Sequence, residues 1–570
     1  MTTNKHWFIS PVLTPQAQQA LAAFPPILQQ LLFNRGYATE SKARVFLRAE
    51  AESDTSPFLM TGMHAAVERI LFALDHHESV AIYGDYDVDG VTATVLLVQA
   101  FKALGMNVRG YIPNRFEEGY GLNNEALKTL RDDGVGLVIT VDCGIRSPAE
   151  ALCARSLGLD LIISDHHQPS DEIPSAFAVI NPKQKDDVYP DKELAGVGIA
   201  YKIAQAVLEK YSISGKLTDF KADVLLDLVA LGTVADLAPM VGENRFLVRK
   251  GLQCIRTTTR QGLFSLANVA GLQISKTTAG DIGFVLGPRL NAAGRLESAM
   301  NAFELLANQD VMIAGQLALK LDEQNRERQR VTRDIQAEAE SMALVGDPNA
   351  HILFAVSPGF NPGVVGLAAS RLVETYYRPA VVGQKSDETT RCSCRSIPEF
   401  HITEALDKCA DLLVRHGGHA AAAGFTVKNE NLQELQDRLL DIATQELSNL
   451  DLRPTLHADM VVPLSDMKPE VLKYLEYLQP TGYGNPDAVF VSRNVLVKAS
   501  RTVGADANHL KMTLSDGHIT YDAIGFRLGH LQQNLPKNVD IIYTFETNEF
   551  NGRTSLQLNL KDIKAAGQDD

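Results

Sequence analysis

Three aspartates alternate in the stretch Tyr83-Gly-Asp-Tyr-Asp-Val-Asp-Gly90, namely Asp85, Asp87 and Asp89. Carboxylates at this density raise one another's pKa or recruit cations, and hard divalent ions favour oxygen donors. Three further segments repeat the pattern of an apolar run closed by an acid. Leu137-Val-Ile-Thr-Val141 leads into Asp142, then Cys143 and Gly144. Leu161-Ile-Ile163 leads into Ser164-Asp165-His166-His167, and Asp227-Leu-Val-Ala-Leu231 into Gly232-Thr-Val-Ala-Asp236. Each acid alone fits a turn cap or a helix N-cap. Four repeats of one pattern point instead to a shared site formed by Asp85, Asp87, Asp89, Asp142, Asp165, His166, His167 and Asp236. Oxygen donors with one or two imidazoles and no thiolate suit Mn2+ or Mg2+ over structural zinc. So many carboxylates exceed the need of one ion. Two divalent cations clamping the attacking and leaving oxygens of an in-line displacement are expected, without a covalent serine or cysteine.

The elements that must position these acids are legible around them. Residues 79–83 read as a buried strand and 91–104 as a helix, so the first acids fall at a strand-to-helix junction. From about residue 65 to 240, apolar runs alternate with helical stretches, the pattern of a parallel α/β sheet. Such sheets hold ligands in the crevice beyond the carboxyl ends of their strands. Residues 1–50 form a small helical segment without evident chemistry, and about 310–344 reads as one long charged helix.

Gly287-Pro-Arg-Leu-Asn-Ala-Ala-Gly-Arg295 reads as a glycine-flanked loop in which Arg289 and Arg295 frame Asn291. The arginines either grip a phosphate or balance surplus acids of the metal site. A second α/β unit follows, with Arg391-Cys-Ser-Cys-Arg-Ser396 and His416-Gly-Gly-His-Ala-Ala-Ala-Ala-Gly424. Gly417 and Gly418 permit close backbone approach to a ligand ahead of a helix start; tight packing through the alanines is the alternative. After about residue 454 short alternating strands indicate a small barrel of OB type. Lys498, Arg501, Lys511, Tyr521, Phe526 and Arg527 mix basic and aromatic groups as single-strand binding requires, although strand aromatics also serve as core.

At 570 residues several domains are needed. The boundaries read as 1–50 (helical segment), 51–300 (catalytic), 301–345 (connecting helix), 346–450 (second α/β) and 451–570 (barrel). Binding by the barrel and chemistry at the acids read as separable, so a chain ending near residue 450 is expected to fold. The net charge of −15 does not advertise a polyanion partner, though a local basic channel can hide within a total. Six cysteines without a C-x-x-C pair, no signal-type leader and no long apolar span indicate a cytoplasmic protein with reduced thiols.

Gly84-Asp-Tyr-Asp-Val-Asp-Gly90, Val141-Asp-Cys-Gly144, Ser164-Asp-His-His167 and Gly232-Thr-Val-Ala-Asp236 occur in the order and spacing of the DHH phosphoesterase motifs. The 287–295 and 417–424 motifs and the barrel make the chain resemble the single-strand-specific exonucleases of that family. The resemblance implies a DHH catalytic domain, a connecting helix, a DHH-associated domain and an OB-like barrel. It also implies 5′→3′ exonucleolytic hydrolysis of single-stranded DNA in recombination and repair by a monomer. A single-strand DNA-binding protein and a RecQ-type helicase are the implied partners. Carried over by position, Asp85, Asp87, Asp89, Asp142, His166 and Asp236 are the implied metal shell. Asp85, Asp165 and His167 are the implied catalytic groups. Arg115, Arg289, Asn291, Arg295, Ser393, Arg395, Gly418 and His419 are implied to hold the strand and its terminal phosphate. A relative acting on short oligonucleotides, a cyclic dinucleotide or pyrophosphate would not need the barrel, and a non-catalytic adaptor would lack ligands that are present here.

Overall fold

In the strand Ser79–Gly84 successive side chains serve two different cores. Val80 and Ile82 join one apolar cluster and Ala81 and Tyr83 another, so the strand is buried on both faces. That environment selects continuous apolar runs over alternation, and it is reached when helices cover both sides of a parallel sheet. The computed structural model describes residues 5–50, 55–114, 118–119, 121–347, 349–550 and 553–568. Its first sheet has five strands in the order Val108–Tyr111, Ser79–Gly84, Val135–Val141, Asp160–Ser164 and Ala178–Ile180, all parallel. Chain order reverses between Ser79–Gly84 and Val135–Val141. Such a switch point opens a crevice at the strand ends.

The helix Val88–Ala103 follows the first acids and is buried almost throughout. It packs against Gly196–Ile213 and Leu226–Ala235. The run ending at Asp236, expected as a strand, is therefore a helix. A short apolar run lacks a decisive period, and here flanking helices rather than strands bury it.

The chain divides into two compact units, one of Ser10–Gln324 with Ala458–Gln568, the other of residues 5–9 with Asn325–His457. The first contains the parallel sheet and the C-terminal barrel. In the barrel, Phe490–Val503, His509–Ser515, Thr520–Gly525, Arg553–Ala565 and Asn538–Phe550 pair in that order, and the last pairs back to the first. Closure removes the exposed edges of an open sheet. Tyr521 is core, its hydroxyl donating to the Met467 carbonyl, so it is unavailable for stacking.

The N-terminal segment is more than a prelude. Leu21, Leu28, Leu31, Leu32, Ala43 and Phe46, from Pro26–Asn34, Glu40–Arg48 and the preceding turn, share one apolar cluster with barrel residues such as Phe490, Leu510 and Ile541. Arg245, on the helix Gly242–Arg256, is buried at this junction. Its guanidinium donates to the carbonyls of Phe46 (3.3 Å), Leu478 (2.7 Å), Pro480 (2.8 Å) and Tyr477 (3.0 Å). It also lies 4.2 Å from the Phe46 ring centroid. Removing everything after residue 450 would strip three of these four carbonyls, so the expectation that such a chain folds undisturbed does not follow from the fold.

The long helix runs Val311–Gly346. Ala314, Ala318 and Leu321 belong to the core of the first unit, Ile335 and Ala339 to that of the second. The second unit has a five-stranded mixed sheet in the order Leu413–His419, Ala422–Lys428, Thr389–Arg395, Ala380–Lys385 and Leu353–Ser357. Only the last two strands are parallel. Gly417-Gly-His-Ala-Ala-Ala-Ala-Gly424, expected to start a helix, is instead an antiparallel hairpin pairing Gly418 with Ala423. Alanines favour helix on propensity, but the paired neighbour decides the state of a short stretch. All six cysteines are free, and among the described residues no helix is long and apolar enough to cross a membrane.

Arg245→Ala should lower stability by about 3 kcal/mol or more, because four carbonyls at a buried junction lose a charged donor. Urea unfolding followed by intrinsic fluorescence measures this. Arg245→Lys, which keeps the charge but not the forked donors, should recover only part of the loss.

Candidate metal centre

The acids meet at the switch point of the parallel sheet. Asp85 follows the first strand directly, Asp87 is the N-cap of Val88–Ala103 and accepts from Gly90 N (3.1 Å), and Asp89 lies in the first turn. A Cβ on Gly90 would lie 2.6 Å from the Asp85 backbone, so glycine is needed for the loop to fold back on itself. Asp142 follows the third strand with φ of +62°, a left-handed backbone uncommon for aspartate. Its turn is tied down by Thr140 Oγ1, which donates to the Cys143 carbonyl (2.7 Å) and accepts from Ser164 N (3.2 Å). Strain held by its surroundings is typical of functional sites.

Asp165 accepts from the backbone N–H groups of Ile145 (2.9 Å), His166 (2.8 Å) and His167 (3.0 Å), and from His167 Nδ1 (2.7 Å). Those bonds spend its oxygens on orienting the two histidines. Asp236 arrives from the C-terminal end of the helix Leu226–Ala235. His166 Nε2 lies 3.0 Å from Asp142 Oδ1 and 3.8 Å from carboxylate oxygens of both Asp89 and Asp236. Three sets of donors each fall within 4.8 Å: Asp85 with Asp87 and Asp142; Asp89 with His166 and Asp236; Asp142 with His166 and His167. Asp142 and His166 each belong to two sets.

Residues outside the motifs complete the site. The N-terminus of Gly196–Ile213 points at Asp89, which accepts from Gly196 N (2.7 Å) and Val197 N (2.8 Å). A Cβ on Gly196 would fall 2.8 Å from Asp142 Cβ and 3.0 Å from Asp89 Oδ2. Gly232 is equally confined, a Cβ there meeting Thr92 Oγ1 at 2.4 Å and Asp89 Oδ1 at 2.9 Å. Asn181 Nδ2 donates to the His167 carbonyl (2.9 Å). The glycine pair in Ala195-Gly-Val-Gly198 was the only sequence trace of the Asp89 anchor.

Burial, then the neighbouring Asp87, pushes Asp89 up to about 7. Burial, then Asp89 and Asp87, pushes Asp236 up to about 9. Asp142 is raised well above the carboxylate range, first by burial and then by the surrounding aspartates. Burial, with His167 adding repulsion, lowers His166 to about 3, so its ring is neutral. His167 moves the other way: burial opposes protonation, but the bond to Asp165 outweighs it. Asp142 Oδ1 and His166 Nε2 are buried without a hydrogen bond despite their proximity. Crowded carboxylates and a neutral imidazole with an uncommitted ring nitrogen fit divalent cations.

The other expected binding residues lie on elements of both units. Gly287–Leu296 is a helix rather than a loop. Asn291 Oδ1 accepts from Val88 N (3.2 Å), tying that helix to the acid loop. Arg289 pairs with Asp322 (2.9 Å) and donates to the Val285 carbonyl (2.8 Å). Arg295 ends the same helix, and Arg115 lies outside the described residues. In the second unit Ser393 and Arg395 share a strand whose neighbour pairs with Gly418 and His419. A Cβ on Gly366, in the first turn of the helix Val365–Tyr376, would lie 3.1 Å from Arg395 Nη2 and 3.5 Å from Ser393 Oγ.

The carboxylate shifts carry a sign that stability measurements can check. An unfolded aspartate titrates near 3.8, whereas Asp89 and Asp236 in the folded protein titrate near 7 and 9. Above pH 6.5 an unfolded histidine is mostly neutral, as folded His166 already is. From there to pH 9 the metal-free folded state binds more protons than the unfolded chain, so its stability should fall as pH rises. Chelated protein should therefore lose thermal stability between pH 6.5 and 8.5, and saturating Mg2+ should remove most of that loss. A flat profile in chelator would contradict the assigned electrostatics.

Family models match the chain in three places: the DHH family N-terminal domain over residues 79–233, the DHHA1 domain over 349–448 and the RecJ OB domain over 458–562. The single-stranded-DNA-specific exonuclease RecJ of Bacillus subtilis is 40% identical over 94% of this chain and 68% of its own length. Among solved structures, RecJ of Thermus thermophilus in complex with Mn2+ is 27% identical, with a TM-score of 0.84 over 99% of this chain and 80% of that one. Its complex with Mg2+ gives a TM-score of 0.79 at 26% identity over 99% and 79% of the two chains. With the acid motifs, the mixed-sheet unit and the closed barrel accounted for together, the chain belongs to the RecJ single-stranded-DNA-specific exonucleases of the DHH family.

Proposed function

We propose that this protein is an exodeoxyribonuclease that hydrolyses single-stranded DNA from the 5′ end and releases nucleotides, with two divalent cations at the acid cluster, in recombination and repair. The observation that carries this reading is the convergence of donors from four chain segments into sets that share Asp142 and His166. The relatives are named for single-stranded DNA, and the neighbouring structures hold Mn2+ and Mg2+. A closed OB-type barrel suits a polymeric ligand better than a dinucleotide. Within this reading the protein is cytoplasmic and monomeric, and its partners are a single-strand DNA-binding protein and a RecQ-type helicase. Those partners come from the family resemblance rather than from a surface of this chain.

The bound cations would neutralise phosphate oxygens and lower the pKa of a water molecule for in-line attack. Asp85, Asp87, Asp89, Asp142, His166 and Asp236 would hold them, with Asp142 shared. The chain supplies the rest. The N-terminus of the helix Gly196–Ile213 fixes the Asp89 carboxylate, and the Thr140-bound turn fixes Asp142. Asp165 accepts a hydrogen bond from His167 Nδ1 and so orients the imidazole, which would handle a proton at the reacting centre. Ser393 and Arg395, over the first turn of Val365–Tyr376, combine a guanidinium with a helix N-terminus, a combination suited to a terminal phosphate.

Strands labelled at either end test the reaction and its polarity together. With Mn2+, a 5′ label should appear at once in mononucleotide, while a 3′ label should pass through progressively shorter strands; chelator should stop both. Asp142→Ala should bind the strand but lose nearly all hydrolysis. Immediate release of the 3′ label would reverse the polarity, and near-normal turnover by Asp142→Ala would remove the shared-ligand proposal.

Arg395→Ala addresses the terminus. If the guanidinium holds a terminal phosphate, the variant should slow cutting of 5′-phosphorylated strands about tenfold or more beyond its effect on 5′-hydroxyl strands. Equal losses would assign Arg395 to the backbone or to the fold.

A further inference from the structure

Two exposed apolar side chains occupy unusual backbone in segments attached to the metal centre. Leu237 follows Asp236 directly, is 68% exposed and has φ of +60°. Phe284 is 86% exposed in the middle of a π-helical turn, Ile282–Leu286, whose two end residues are fully buried. A π turn inserts a residue into a helix and often marks a functional site. Here it swings a phenyl ring into solvent between two anchored residues. Scattered exposed apolar residues are ordinary, but these two belong to segments attached to the acid cluster.

The attachments are specific. A Cβ on Gly283 would lie 3.8 Å from Val234 Cγ1, and one on Gly287 3.4 Å from Ala235 Cβ, which places the π turn against the helix end that delivers Asp236. The helix continuing from Gly287 carries Asn291, bonded to the acid loop at Val88. The π turn thus packs against the helix that delivers Asp236, and the helix that continues from it is tied to the acid loop. A strand whose phosphate reaches the centre brings a neighbouring base to the segments that flank Asp236. An exposed phenyl ring offers a nucleobase what it needs there, an apolar face.

Resting on the functional reading above, we propose that Phe284 is a stacking surface for a nucleobase of the bound single strand at the rim of the metal centre, with Leu237 as a second apolar contact. Phe284 is a positioning residue for the strand rather than part of the chemistry. Its contribution depends on a base being present and is indifferent to which base, because every base has a π face.

The test uses full-length protein in chelator, so that binding is read without hydrolysis. The chain has one tryptophan, Trp7, which is buried, so Phe284→Trp introduces a reporter. Oligodeoxythymidylate should quench that fluorescence and the variant should bind as wild type does. Phe284→Ala should weaken binding about tenfold, the loss of one stacked base. It should cause no loss on oligonucleotides whose bases are replaced by abasic tetrahydrofuran residues. With Mn2+, Phe284→Ala should raise KM more than it lowers kcat. Unquenched fluorescence from the Phe284→Trp variant, when anisotropy shows it to be DNA-bound, would overturn the stacking role and leave the exonuclease reading intact. Equal losses on base-bearing and abasic strands would do the same. Failure of wild type to bind any single strand would overturn both.

Discussion

The architecture turns on the cost of placing aspartates where water is excluded. Asp85, Asp89, Asp142 and Asp165 are each at most 4% exposed, with Asp87 and Asp236 close by. Buried carboxylates that are not paired with cationic side chains are stable only if protonated, hydrogen-bonded or bound to metal. Against burial, hydrogen bonds hold Asp165 below the usual carboxylate range, whereas Asp89, Asp142 and Asp236 are raised, Asp89 despite its two backbone N–H donors. That inequality separates the positioning carboxylate from those suited to hold a cation.

Bringing the acids so close constrains the backbone around them. Glycine at 90, 196 and 232 leaves room that a methyl group would take from Asp85, Asp142 and Asp89. The left-handed Asp142 is held by a threonine bridging two strand ends. Arg245 shows the opposite treatment of buried charge. Although burial lowers its pKa to about 10, four carbonyls saturate the guanidinium, and it serves the junction of helices and barrel. A satisfied buried charge here is architecture, and an unsatisfied cluster is a site.

The parallel sheet, the barrel and the long helix were legible because each rests on a repeated local pattern: apolar runs with helices between, alternating strands with turns, and helical spacing sustained over many residues. Other readings failed where local preference was weak. The run before Asp236 has no strand period and became a helix under its helical neighbours. Residues 287–295 looked like a glycine loop and are a helix, in which Gly294 faces the Tyr86 carbonyl and packing rather than flexibility requires the glycine. The alanine run at 420–423 sits in a hairpin, where a strand partner outweighs propensity.

By itself the sequence determined the identities and order of Asp85, Asp87, Asp89, Asp142, Asp165, His166, His167 and Asp236, and hence the preference for hard divalent cations. Ligand chemistry is a property of side-chain type, which the sequence states outright. Only the tertiary structure decided that a helix end rather than a strand end delivers Asp236, and that the N-terminus of Gly196–Ile213 anchors Asp89. It also decided that Asp165 orients His167, that Arg289 pairs with Asp322, and that the N-terminal helices complete the core of a barrel more than 400 residues away along the chain. These depend on contacts between segments remote in sequence, whose partners no local pattern can name.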